Sequence, residues 1–413
     1  MRITGIETIR IDEFSNLLLM RLHTDDGLIG IGETFRNAEA VEAYIHETAA
    51  PFVLGQDPLR REALSWGMAR KMGNHFNGFP SRSVEIRGNS AIDMALWDVC
   101  GQAAGVPISQ LLGGQTHDKT RIYNTCAGGT YNAKARSGYN TEIYDRDSAP
   151  APGEIAANDD LLMQVFEPAR LAKELIAEGT TAMKIWPFDP FAVRNNGQFI
   201  SADEMREAIW PIEQIRKAVG DKMDIMIEYH SLWQFAPALQ IAAALGDYGI
   251  YWHEDPFWLQ NFDDLARYRD KLTTRLAVSE NLGSLPWFRE ALTRGIVDVA
   301  TFDIAWIGGI TEGQKVTHLA QAFDRPVAPH DCTGPVTFVA NIHMLTAASN
   351  SHIAECVRSY WRGYYSDIVT DLPVIQDGYA YPMEGTGLCT TLNPAVFGRA
   401  DVHCRLSGAA CDQ

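Results

Sequence analysis

No stretch of about 18 consecutive apolar residues occurs in the 413-residue chain, so nothing in it reads as a membrane-spanning helix. Basic residues are scarce: 35 Lys and Arg stand against 52 Asp and Glu, a formal net charge of −17. That balance excludes an extended nucleic-acid face, because phosphates demand a surplus of positive charge. Paired CxxC motifs are also missing. The seven cysteines (Cys100, Cys126, Cys332, Cys356, Cys389, Cys404 and Cys411) are scattered, which excludes a zinc ribbon or a disulfide framework. They read as reduced thiols of a cytoplasmic protein, and the opening Met-Arg-Ile-Thr-Gly-Ile-Glu lacks the apolar core of a secretory signal. There is no low-complexity tract. What remains is an acidic chain with 46% hydrophobic residues, enough for a large core and more than one domain. To bind an anion, such a chain must supply positive charge locally, and a metal ion can do so.

Three glutamates stand at the ends of apolar runs: Ile225-Met-Ile-Glu228, Ile250-Tyr-Trp-His-Glu254 and Leu276-Ala-Val-Ser-Glu280. Each step, from 228 to 254 and from 254 to 280, is 26 residues, about the length of one strand–helix unit. Asp303 and His330 continue the series after the runs at 297–302 and 326–329. A single polar residue after a strand is usually a loop charge, but five in register point to consecutive parallel strands. In a (β/α)8 barrel those strand ends form the mouth where chemistry takes place. Three carboxylates converging there are hard oxygen ligands suited to Mg²⁺.

The pattern divides the chain into residues 1–118, an α+β capping domain; 119–378, a (β/α)-barrel; and 379–413, a Gly- and Pro-rich return to the cap. In the first part, β-rich segments at 2–9, 17–24 and 28–34 form a meander, followed by helices over 38–52 and 89–104. The Gly105-Val-Pro107 sequence stops the second helix. The barrel starts with a strand at 119–127. The polar segment 130–160 is expected to be a lid over the mouth. A helix over 166–179, a strand at 182–186, an irregular insert at 187–199 and a helix at 202–219 follow.

Alternate residues of a strand share a face, so Glu228 with His230, and Lys184 with Trp186, are expected to point together into the mouth. Asp303 is placed to hydrogen-bond His330 and fix its tautomer. Lone histidines are more often structural than catalytic. His330 carries more weight because it ends a strand in register and follows a candidate partner.

These residues resemble the enolase superfamily, and within it the mandelate racemase-like acid-sugar dehydratases of galactonate and mannonate type. The resemblance spans nearly the whole chain. It includes Ser90-Ala-Ile-Asp-Met-Ala-Leu-Trp97-Asp, Gly105-Val-Pro-Ile-Ser-Gln-Leu-Leu-Gly-Gly114, Lys184-x-Trp186, the three glutamates, Asp303-Ile-Ala-Trp-Ile-Gly308-Gly309 and His330. It implies that Glu228, Glu254 and Glu280 bind Mg²⁺ and that Lys184 faces the substrate carboxylate. It makes His330 and Asp303 the dyad that removes the proton α to that carboxylate. Glu355 would hydrogen-bond the substrate, and His230 would be the general acid. Members of the family commonly form dimers or octamers. Two departures stand out. Glu228 replaces the Asp that many relatives carry, and Trp186 stands where two-sided racemases have a second lysine. Trp186 cannot titrate and is expected to form part of the substrate wall.

The expected reaction is Mg²⁺-dependent dehydration of a sugar acid to a 2-keto-3-deoxy acid. Epimerisation, cycloisomerisation or lactone opening on the same scaffold is the alternative, and a non-catalytic binding protein a more distant one, since no ligand or base is missing. Substrate stereochemistry is expected to be read around Ser15-Asn16, Phe35-Arg36 and the 130–160 segment.

Overall fold

Three strands, β1 (Ile3–Ile11), β2 (Leu17–Thr24) and β3 (Ile29–Phe35), form an antiparallel meander. A fourth strand of the same sheet comes from the far end of the chain. Val402–Gly408, strand β13, pairs antiparallel with β1. The computed structural model describes residues 1–70, 83–129, 150 and 153–410. Most of the expected lid, 130–160, lies outside those residues, as does Cys411. Helix Val84–Ala104 lies across the meander. It can do so because Gly30 and Gly32 have no side chain: a Cβ there would sit 2.1 Å from Ala95 O and 2.0 Å from Ala91 O. This helix begins five residues earlier than expected, because Ser83 accepts from Ile86 N and caps it. The helix expected over 38–52 is interrupted by a π turn at Ile45–Ala49.

The second sheet contains parallel strands β4 (Thr120–Thr125), β5 (Ala182–Ile185), β6 (Asp224–Glu228), β7 (Ile250–Glu254), β8 (Arg275–Val278) and β9 (Val299–Ala300). Bridges from Ala300 to Val327 and from Val327 to Ser351 carry it onward, and β10 (Ala354–Cys356) pairs in parallel with β4 and closes the ring. A short hairpin, β11 (Ile375–Gln376) and β12 (Tyr379–Ala380), pairs antiparallel with the start of β4. Thus the chain after 378 touches the barrel before β13 reaches the four-stranded sheet.

One buried apolar cluster plugs the ring: Tyr123, Ala182, Met226, Trp252, Ala277, Val299, Ala328 and Ile353, one from each stave. Because strand side chains alternate, the residues two further along face the same interior, one layer nearer the mouth. Those residues are Thr125, Lys184, Glu228, Glu254, Ser279, Thr301, His330 and Glu355. A hydrophobic layer therefore supports a polar one. Glu280 lies one residue past this rhythm, and Asp303 two residues past Thr301. The insert at 187–199, expected to be irregular, contains helix Asp189–Asn195.

Candidate metal centre and active site

Glu228 and Glu254 end adjacent strands in register, while Glu280 lies just beyond β8. All three are buried, and each offers a carboxylate oxygen within 4.8 Å of the other two. Glu228 Oε1 accepts from the backbone N–H of Tyr229 at 3.0 Å and of His230 at 2.6 Å. Its other oxygen, Oε2, is buried without a hydrogen bond, 3.5 Å from Lys184 Nζ. Burial, followed by the neighbouring charges of Glu254 and Glu280, pushes the Glu228 carboxyl well above its ordinary range. Asp255 is raised for the same reasons, with Glu280 and Glu254 nearby. Packing like charges this closely in a buried mouth is costly unless a cation joins them. An all-oxygen donor set with an orphaned buried carboxylate oxygen suits a hard divalent ion such as Mg²⁺.

Lys184 lies beside the triad in the same polar layer. Its Nζ is 2.9 Å from Glu254 Oε1 and 2.9 Å from Glu355 Oε1. Burial opposes its charge, but Glu254 and Glu355 outweigh that effect and raise Lys184 well above its ordinary value. Glu355 also accepts from Thr125 Oγ1 and, through Oε2, from Asp331 N at 2.9 Å. Trp252 Nε1 donates to Glu254 Oε2 at 2.9 Å, so the apolar plug also orients a triad member.

A histidine flanks the triad on either side. His330 Nδ1 lies 2.7 Å from Asp303 Oδ2, and His330 Nε2 lies 2.9 Å from Glu280 Oε2. The backbone N–H of Ala305 donates to Asp303 Oδ1 at 2.7 Å and fixes that carboxylate. Burial disfavours the His330 imidazolium, but Glu280, Glu355 and Asp303 together raise it well above an ordinary histidine. The indole of Trp306 packs 4.9 Å from the same ring.

His230 lies past the end of β6 with a left-handed φ of 48°, so strand alternation does not direct it. Its position is set instead by Asp189, whose Oδ2 lies 2.6 Å from His230 Nδ1, and by the edge-on indole of Trp186, 5.7 Å away. The His230 side chain keeps 20% exposure while Asp189 has none. The sequence reading missed Asp189: it lies 41 residues before His230, in the helix of the insert, with no strand-end signal.

Comparison with known proteins places the chain in a family. The enolase C-terminal domain-like family matches residues 167–396, and the mandelate racemase/muconate lactonizing enzyme N-terminal domain matches residues 8–113. The chain belongs to this mandelate racemase-like part of the enolase superfamily. An enolase of the mandelate racemase subgroup from Agrobacterium tumefaciens is 41% identical, with TM-score 0.86 and 100% coverage of both chains. The D-gluconate dehydratase of Thermoproteus tenax is 32% identical over 384 residues, 92% of this chain and 69% of that protein. The D-xylonate dehydratase of Haloferax volcanii is 28% identical over 393 residues, 95% of this chain and 87% of that one.

Proposed function

We propose that this chain is a lyase that dehydrates a sugar acid, an aldonate or aldarate, with Mg²⁺ held by Glu228, Glu254 and Glu280. The observation that carries this reading is a buried carboxylate triad with two Asp–His pairs beside it. Resemblance to sugar-acid dehydratases supports the reaction type. The proton α to a carboxylate is very weakly acidic, and its removal leaves negative charge on the carboxylate oxygens. When bound, Mg²⁺ supplies fixed positive charge where that negative charge develops.

His330 takes the α-proton at Nε2, while Asp303 accepts from Nδ1–H and holds the tautomer. Lys184 keeps positive charge near the substrate carboxylate, and Glu355, 2.9 Å from Lys184, hydrogen-bonds the substrate. His230 donates a proton from Nε2 to the departing β-hydroxyl, with Asp189 at Nδ1. The resulting enol tautomerises to a 2-keto-3-deoxy acid. Trp186, buried against His230, forms a wall and leaves no second lysine for a two-base racemisation. We further assign the protein to the cytoplasm as a homo-oligomer. The six cysteines among the described residues are free thiols, and no helix there is long and apolar enough to cross a membrane.

The test is a panel of aldonic and aldaric acids incubated with Mg²⁺ and assayed for 2-keto acid with semicarbazide. A product that keeps the substrate's elemental composition, with no water lost, would favour an isomerase on the same site instead.

A further inference from the structure

Two consecutive residues of the cap, Glu33 and Thr34 at the end of β3, reach into the barrel and are completely buried. Glu33 Oε1 accepts from Thr337 N at 2.9 Å and Oε2 accepts from Val336 N at 3.2 Å. Its carboxylate therefore caps helix Pro335–Ala347, which has no side-chain cap of its own. The approach is close: a Cβ on Gly334 would stand 2.6 Å from Glu33 Oε2. That helix in turn holds the base, because Asn341 Nδ2 donates to the His330 carbonyl at 3.2 Å.

Thr34 Oγ1 donates to the Ala305 carbonyl at 2.9 Å. The N–H of Ala305 is the group that fixes Asp303 Oδ1. Adjacent cap residues thus act on the two members of the His330–Asp303 pair, each through one intervening element. The same strand continues into Phe35-Arg36, where Arg36 N donates to Asn16 O at 2.6 Å and ties together the two segments expected to read the substrate.

We propose that Glu33 and Thr34 are positioning residues for the proton-abstracting dyad, so that the seating of the cap aligns His330 with Asp303. This rests on the reading of His330 as the base. Neither residue touches the triad or Lys184 through any contact described above, so metal binding should be insensitive to them. Chain segments that only close an interface would affect stability and KM. Segments that aim the dyad should affect the chemical step, where small misplacements cost rate steeply.

The experiment compares Glu33→Gln, Thr34→Val and Thr34→Ser in the full-length Mg²⁺-loaded enzyme, using the best substrate from the acid panel. Glu33→Gln and Thr34→Val should lower kcat by about 100-fold, and α-proton exchange in deuterium oxide by the same factor. KM and Mg²⁺ affinity should stay near wild type, and Thr34→Ser, which keeps the hydroxyl, should restore the rate. The imidazole Nδ1–H resonance of His330 should shift in Glu33→Gln and Thr34→Val but not in Thr34→Ser. If Glu33→Gln folds poorly, the threonine pair decides alone. A wild-type kcat and an unmoved resonance in Thr34→Val would overturn the proposal, leaving an ordinary domain contact. His330→Asn is the separate control: should it retain exchange, the identification of the base fails and the dyad proposal falls with it. If only the cap variants behave as wild type, the base stands and the clamp alone is wrong.

Discussion

Lys184 and Glu254 form a 2.9 Å ion pair in the barrel's polar layer, and neither side chain has more than 2% exposure. Lys184 also lies against the carboxylates of Glu228 and Glu355. Breaking a buried pair by removing one partner strands the other charge, at a cost of about 3–5 kcal/mol. Lys184→Met should therefore lose stability of that order in metal-free urea unfolding, and Mg²⁺ should recover part of it. A loss below about 1 kcal/mol, the scale of an ordinary surface substitution, would show that protons or solvent already neutralise the cluster.

Metal affinity should rise with pH. Burial and the charges of Glu254 and Glu280 raise the Glu228 carboxyl, so in the metal-free protein it keeps its proton to higher pH than in the unfolded chain. The sign follows from linkage: the unfolded state ionises first, so metal-free stability falls as pH rises through that window. Mg²⁺ must displace the proton, so its stabilising effect grows over the same range. Thermal melts with and without Mg²⁺ should diverge steadily as pH is raised above the ordinary glutamate range. Parallel curves would remove Glu228 from the ligand set. Glu254→Gln should weaken Mg²⁺ binding and abolish turnover together, as measured by calorimetry and keto-acid assay.

His330→Asn should abolish both dehydration and exchange of the substrate α-proton with deuterium. Asp303→Asn should impair both on the order of 10²- to 10⁴-fold, because the amide can present the wrong partner to Nδ1. Persistence of wild-type exchange in His330→Asn would make another group the base, with Lys184 the leading candidate.

The ring of functional groups was legible in the sequence because barrel geometry repeats. Each stave ends an apolar run, and the plug residues at 226 and 252 lie two positions before Glu228 and Glu254. Where geometry departs from that rhythm, legibility ends. Asp303 and His330 were expected to close strands. The observed strand is only Val299–Ala300, and the next stave is a bridge at Val327, although His330 N still donates across to the Phe302 carbonyl at 3.0 Å. His230 shares the mouth through a left-handed backbone instead of alternation. Asp189 and Glu33 were missed for one reason: their partners are 41 and more than 300 residues away, and no local pattern encodes such contacts.

The two histidines should come apart on mutation. Both have an Asp bonded to Nδ1, but the His330 ring also lies against the triad, at Glu280, with 6% side-chain exposure against 20% for His230. If His330 takes the α-proton and His230 assists the leaving hydroxide, His230→Asn stops the second event alone. Dehydration should fall about 10²- to 10⁴-fold, the usual worth of a general acid, while α-proton exchange continues. Asp189→Asn should reproduce that separation more weakly, since the ring remains but loses the carboxylate that orients it. Both rates are measurable in one deuterium oxide incubation, exchange by proton NMR and product by keto-acid assay. If His230 instead only orders Glu228, whose Oε1 its backbone N–H contacts at 2.6 Å, the variant would disturb the triad and both rates would drop together. Equal losses would therefore withdraw the general-acid role from His230 and leave the source of the leaving-group proton to be sought elsewhere in the mouth.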